Sequence, residues 1–248
     1  MMSFWVALFF ASTAFAGGSI GDLGNYNVQL PFDVATEALC FKNYDPHAGP
    51  WPLKQIGAKH GICQGIVSVA RAFKYNASFN CQGQRISRAQ AKVKLDRIMK
   101  LHARGRSEQV GIDGYCNLQE FCASNRAMLE WKATYVNAAI AISPLLGKVW
   151  AFHRGATAKT QLRNMKAVIK IRDELDAGKT PLLAVAWHVV LVTGMRVSTL
   201  WNGDHRADLT VYDPNHNDSK DIWSYVIARD FKRTIGEGAI FVISPRGR

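Results

Sequence analysis

Apolar residues after Gly61 fall at Ile62, Ile66, Val69, Ala70 and Phe73, the spacing of one face of an α-helix. The stretch from Asn76 to Gly83 breaks the pattern. Ser87 can cap a second helix reaching about His102, with Ala91, Leu95 and Ile98 on one face. Gly105 and Gly111 to Gly114 mark a loop. A third helix spans about Leu118 to Ile142, stopped by Pro144, and a fourth about Thr157 to Ala177, closed by Gly178. The period then changes. Trp187 to Thr193 is apolar and β-branched, and Asp208 to Tyr212 alternates, with Leu209 and Val211 on one side. Trp223 to Ala228 and Ala239 to Ser244 read as further strands. Ahead of these elements, residues 20 to 60 are rich in Gly, Pro and Asn, an irregular stretch with a short helix around Val34 to Phe41. Helices first and strands last predict an α+β fold, an antiparallel sheet packed beside a helical lobe.

The first residues follow a different logic. Phe4 to Ala11 is apolar and Ala14-Phe15-Ala16 matches a small-residue cleavage site, so residues 1–16 read as a signal peptide. Residues 17–248 are then the folded unit, with a helical lobe over about 17–180 and a β lobe over about 181–248. Export makes the protein secreted or periplasmic. The remaining chain has no apolar segment long enough to span a bilayer. With 48% apolar and 20% charged residues among 248, wholesale disorder is excluded and a real core is expected.

The formal net charge is +12. Basic side chains are spread over Lys92 to Arg106, Lys159 to Arg172 and Arg229 to Arg233. Solvated helical faces account for most of them, and an acidic surface or polymer would be attracted to the helical lobe. No helix-turn-helix, RNP or zinc-finger text accompanies the charge, so no specific nucleic-acid site is expected. His60, Cys63, Asp204, His205 and His216 match no standard zinc spacing, and neither a metal nor another cofactor is expected.

Five cysteines, Cys40, Cys63, Cys81, Cys116 and Cys122, are too few for a disulfide-built miniprotein. In an oxidising compartment the odd number leaves at least one outside a bridge within the chain. Cys116 and Cys122 are close enough in sequence for a local bridge.

Three residues carry candidate chemistry. Cys63, in Gly61-Ile62-Cys63-Gln64-Gly65, falls at the start of a helix, where unpaired N–H groups and the helix dipole favour a thiolate. The same N–H groups can stabilise an oxyanion. His188 sits in an apolar strand, in phase with Val190 and Val192, where a histidine is costly unless its nitrogens are used. Asp213 ends the next strand, in Val211-Tyr212-Asp213-Pro214-Asn215, which also reads as turn chemistry. A cysteine nucleophile needs a base, and the base an orienting group.

These segments, with Trp187-His188-Val189-Val190-Leu191-Val192-Thr193-Gly194, resemble the papain-like cysteine peptidase superfamily, especially its bacterial C39-like branch. The separation of Cys63 from His188 is close to that of papain-type enzymes. The resemblance implies a helical lobe carrying the cysteine, a β lobe carrying the histidine, and a cleft between them. It implies Cys63 as nucleophile, His188 as general base and acid, and Asp213 as orienting residue, with Asn215 the alternative third member. The substrate would be a peptide or protein, cut at a peptide or isopeptide bond. Papain-type enzymes place an oxyanion-hole glutamine six residues before the cysteine; Gly57 stands there, and Gln55 is the nearest substitute. If Cys63 is the nucleophile, the other four cysteines should pair. Two alternatives use the same residues: a transglutaminase-like acyl transferase, and a catalytically inactive papain-like binding module.

Overall fold

The computed structural model describes residues 20–44, 61–141, 158–185, 188–216, 218–235 and 240–243. The proposed signal segment, Gln55, Gly57, Pro144 and Trp187 lie outside the described residues. A 3-10 helix, Ile20–Asn25, leads into strand β1 (Asn27–Gln29) and helix α1 (Val34–Glu37). There follow α2 (Cys63–Asn76), β2 (Ala77–Asn80), α3 (Arg88–Ala103), β3 (Val110–Asp113), α4 (Leu118–Ala141) and α5 (Ala158–Asp176). The last part is β4 (Leu182–Val185), β5 (His188–Thr199), β6 (His205–Tyr212), β7 (Asp221–Ile227), β8 (Thr234–Ile235) and β9 (Ile240–Ile243). The molecule is α+β, with an antiparallel sheet ordered β8-β7-β6-β5-β4-β9 and β1 added against the second half of β5.

The helix ends follow local chemistry. Ser87 forms a capping box with Gln90: its hydroxyl accepts from the Gln90 N–H, and the Gln90 side chain accepts from the Ser87 N–H at 2.9 Å. Gly178, at φ +69°, closes α5 in a Schellman motif, with the Lys179 N–H on the Glu174 carbonyl and the Gly178 N–H on the Leu175 carbonyl. Helix α4 is kinked at Asn125, whose side chain donates to the Phe121 carbonyl one turn back.

Several segments depart from expectation, among them β1, in the stretch read as irregular, and β4. Residues read as a helix break and a loop pair instead as β2 and β3, a short parallel ladder running from Ala77↔Val110 to Asn80↔Asp113. Glycines around β3 and the polar neighbours of β2 hide strands of only four residues. The local Cys116–Cys122 bridge does not form; the bridges are Cys40–Cys122 and Cys81–Cys116. The ladder brings Cys81 and the chain after Asp113 to the same end, while Cys122 points into the core beside Cys40. Cys63 is the one cysteine outside these bridges. They close loops of 82 and 35 residues. By chain entropy each restrains the unfolded state by about 4 kcal/mol. Such bridges fit an oxidising compartment. No described helix is long and apolar enough to cross a membrane.

The central sheet is buried on both faces. Leu182, Ala184, Val189, Leu191 and Tyr212 pack with α2, α3 and α4, whereas Leu183, Val190, Val192, Leu209 and Val211 pack with α5. A strand covered on both sides reads as one continuous apolar run, which is the text of β5. Helix α5, although it precedes the sheet in sequence like the other helices, builds this second core.

A buried polar network ties the two parts of the chain together. Arg71 on α2 donates through Nε to the Thr180 carbonyl at 2.6 Å and through Nη1 to His102 Nε2 at 3.0 Å. His102 Nδ1 lies 3.2 Å from Asn76 Oδ1. An imidazole that accepts from a guanidinium and donates to an amide oxygen must be neutral. Burial, then the charge of Arg71, lowers its pKa from 6.5 to about 4. Its contribution to stability is full above pH 6.5 and is lost as pH falls toward about 4. Urea unfolding should show that acid limb, and His102→Gln, which cannot gain the proton, should flatten it.

Candidate active site

Helix α2 begins at Cys63, which is 6% exposed. Gly61 turns the chain into the helix at φ +72°, a left-handed value that a side chain disfavours. Ile62 is the N-cap and has no capping side chain of its own. Two residues beyond the sulfur, α4 crosses α2 at closest approach: a Cβ on Gly65 would meet the Ala133 carbonyl oxygen at 1.9 Å. Only glycine lets the two backbones touch there, and that contact fixes where the start of α2 sits.

His188 and Asp213 come from the sheet. The last rung between β5 and β6 at this end is Leu191↔Tyr212; His188 opens β5 beyond it, and Asp213 directly follows β6. The antiparallel ladder therefore delivers both to one edge. His188 Nε2 lies 2.7 Å from Asp213 Oδ1, with side chains 21% and 7% exposed. Cys63 faces His188 closely enough that its sulfur favours a proton on the ring. With Nε2 held by Asp213, Nδ1 is the ring atom left for the sulfur. Trp223, on β7, sets its ring 6.3 Å from the imidazole.

Burial opposes a charge on His188, but the hydrogen bonds to Asp213 and Cys63 outweigh it, and the pKa rises from 6.5 to about 9. For Asp213, burial raises the pKa, yet the bond from His188 and the Asn215 N–H hold it below the ordinary carboxylate value. The Asn215 N–H donates to Asp213 Oδ1 at 2.8 Å, and the Asn215 amide lies 3.4 Å from His188 Nε2. Asp213 is thus the direct partner of the imidazole, and Asn215 holds Asp213 through its main-chain N–H.

The other candidate residues divide. Gln55 lies outside the described residues, as does His60. Gln64 is 5% exposed, and its Nε2 has no partner among the described residues. Asp204 and His205 sit at the opposite end of the β5–β6 hairpin, where His205 stacks on Phe231 and pairs with Thr199. The fold therefore does not bring them to Cys63. Asp213, His216 and Asp221 do offer ligand atoms within 4.8 Å of one another. That grouping is accounted for by the His216–Asp221 ion pair at 2.9 Å and the Asp213–His188 bond. Asn43, buried and bonded to the Ile62 N–H and to the Asn215 side chain, carries no signal in the sequence: an Asn in a Gly-, Pro- and Asn-rich stretch looks like turn chemistry. Comparison with protein-family models, curated proteins and solved structures returned no match in any of the three.

Gly65→Ala should push α4 off α2, because the obstructing atom is backbone. A loss of about 1–3 kcal/mol is expected from overpacking of this kind. Thermal unfolding measures it. Gly111→Ala, where a Cβ meets nothing within 4 Å, is the control and should leave the midpoint close to wild type.

Proposed function

We propose that the protein is a papain-like thiol hydrolase, secreted or periplasmic, acting on peptide or isopeptide bonds. The observation that carries this reading is the grouping of Cys63, His188 and Asp213, in which a buried carboxylate orients an imidazole whose proton a sulfur at a helix start also favours. The helical assembly around α2 supplies the sulfur and the sheet supplies the acid–base pair, as in a two-lobed papain-like unit over residues 17–248. The two bridges suit export behind a signal peptide at residues 1–16.

The chemistry follows from the geometry. The anionic sulfur of Cys63 attacks the carbonyl carbon, and the negative charge moves onto the carbonyl oxygen. The unpaired N–H groups of the first turn of a helix are the donors that can stabilise it. The carbon–nitrogen bond breaks as imidazolium His188 gives its proton to the leaving amine, leaving a thioester on Cys63. His188, now neutral, takes a proton from water as the water attacks the thioester. The carbon–sulfur bond breaks and the acid is released. Asp213 orients the ring throughout and stabilises the imidazolium each time it forms. Exposed Arg88, Lys92, Lys100, Arg104 and Arg106 on and after α3 support attraction to an acidic surface or polymer on which such a substrate is displayed.

Release of peptides from a labelled protein mixture tests the reading. Wild type should cleave, Cys63→Ala and His188→Ala should each lose at least about 1000-fold, and intact mass should show an acyl adduct on Cys63. Because the leaving-group proton comes from His188, the rate should fall above about pH 9, and Asp213→Asn should move that limb to lower pH. Adduct transfer to an added amine in preference to water would make the protein an acyl transferase. No adduct from any substrate would leave a binding module.

A further inference from the structure

The polar contacts around the site converge on a residue that is none of the three. Asn43 is 1% exposed and lies in a segment without helix or strand. It bonds to two distant pieces of chain at once. Toward the cysteine, its side-chain Oδ1 and its main-chain carbonyl both accept from the Ile62 N–H, at 2.5 and 3.3 Å. Ile62 is the N-cap of α2, so Asn43 satisfies the N–H of the residue that opens the helix, the bond an N3 side chain makes in a capping box.

Toward the imidazole, the Asn43 N–H donates to the Pro214 carbonyl at 2.9 Å, and Nδ2 donates to Asn215 Oδ1 at 3.0 Å. Asn215 in turn holds Asp213 through its N–H and sets its own amide beside His188. The amide of Asn43 also fills the space over Gly61, where a Cβ would come within 2.6–2.9 Å of it. Backbone and side chain of one residue therefore bridge the residue before the sulfur and the residues after the carboxylate.

We infer that Asn43 is a positioning residue that sets the spacing of Cys63 and His188, an inference resting on the proposal that these two react together. Sulfur and imidazole stand on different elements, and a displacement of about 1 Å between reacting groups costs about 100-fold in rate. Asn43 spans that gap with four hydrogen bonds, two to each side.

The test needs no substrate. Iodoacetamide labelling of Cys63 in the native full chain is followed by mass spectrometry in wild type, His188→Ala, Asn43→Ala, Asn43→Asp, Asn215→Ala and the Asn43→Ala/Asn215→Ala pair. Thermal unfolding is recorded for each. The expected result is a wild-type rate that depends on His188 and falls about 10- to 100-fold in Asn43→Ala. Asn43→Asp keeps the acceptor for Ile62 but lacks the donor to Asn215, and should fall between. Because Asn43 acts partly through Asn215, the double variant should lose less than the product of the single losses. A His188-dependent rate that both Asn43 variants leave within about two-fold of wild type overturns the positioning role alone. A wild-type rate indifferent to His188 removes the reacting pair itself, and this inference with it. Should Asn43→Ala unfold, Asn43→Asp, which keeps the bonds to Ile62, decides.

Discussion

The bond between His188 and Asp213 is the constraint around which the candidate site is arranged. A carboxylate 7% exposed is costly unless its charge is answered, and here the answer is an imidazole at 2.7 Å and a backbone N–H at 2.8 Å. The cost of keeping His188 charged inside the protein is met in turn by that carboxylate and by the sulfur. Each group is tolerable only in the presence of the others. The pair can exist only where the last rung of β5 and β6 places both side chains at one edge, so the register of the sheet and the electrostatics of the site are the same fact.

The sulfur reaches that edge through backbone contact rather than charge. α2 is located by the close approach of Gly65 to Ala133, by the left-handed turn at Gly61 and by the packing of its apolar face on β5 and β4. Asn43 spans the remaining gap. The disulfides hold the surroundings of this arrangement: Cys40 lies near Asn43 in sequence and is bridged into α4, the helix that crosses Gly65. α5 and the Arg71–His102 network brace the assembly from farther away. A helical assembly and a sheet are thus fastened along one seam, with sulfur and imidazole on it.

Much of this was legible in the residues, because the physics behind it is local. The 3.6-residue period of α2, the Ser87 capping box and the glycine stop of α5 each depend on neighbours within a turn or two. The apolar text of β5 is local as well, although it conceals that both faces are covered. Elements decided by distant partners were not legible. β2 and β3 exist because they pair with each other across α3, and the cysteine pairing follows from that ladder rather than from spacing. Cys63 at a helix start and His188 in an apolar strand stood out as unusual for their settings, and Asp213, ordinary turn chemistry by itself, gained weight only beside them. Asn43 did not, since its role lies wholly in bonds to residues far along the chain.

The arrangement stands on His188 being held as a charged imidazole between Asp213 and Cys63. The direct measurement is the titration of the His188 ring by nuclear magnetic resonance, in wild type, Asp213→Asn and Cys63→Ala. A wild-type midpoint near pH 9 that falls in both variants is expected. A wild-type midpoint at the ordinary histidine value of about 6.5, unmoved by either substitution, would contradict it.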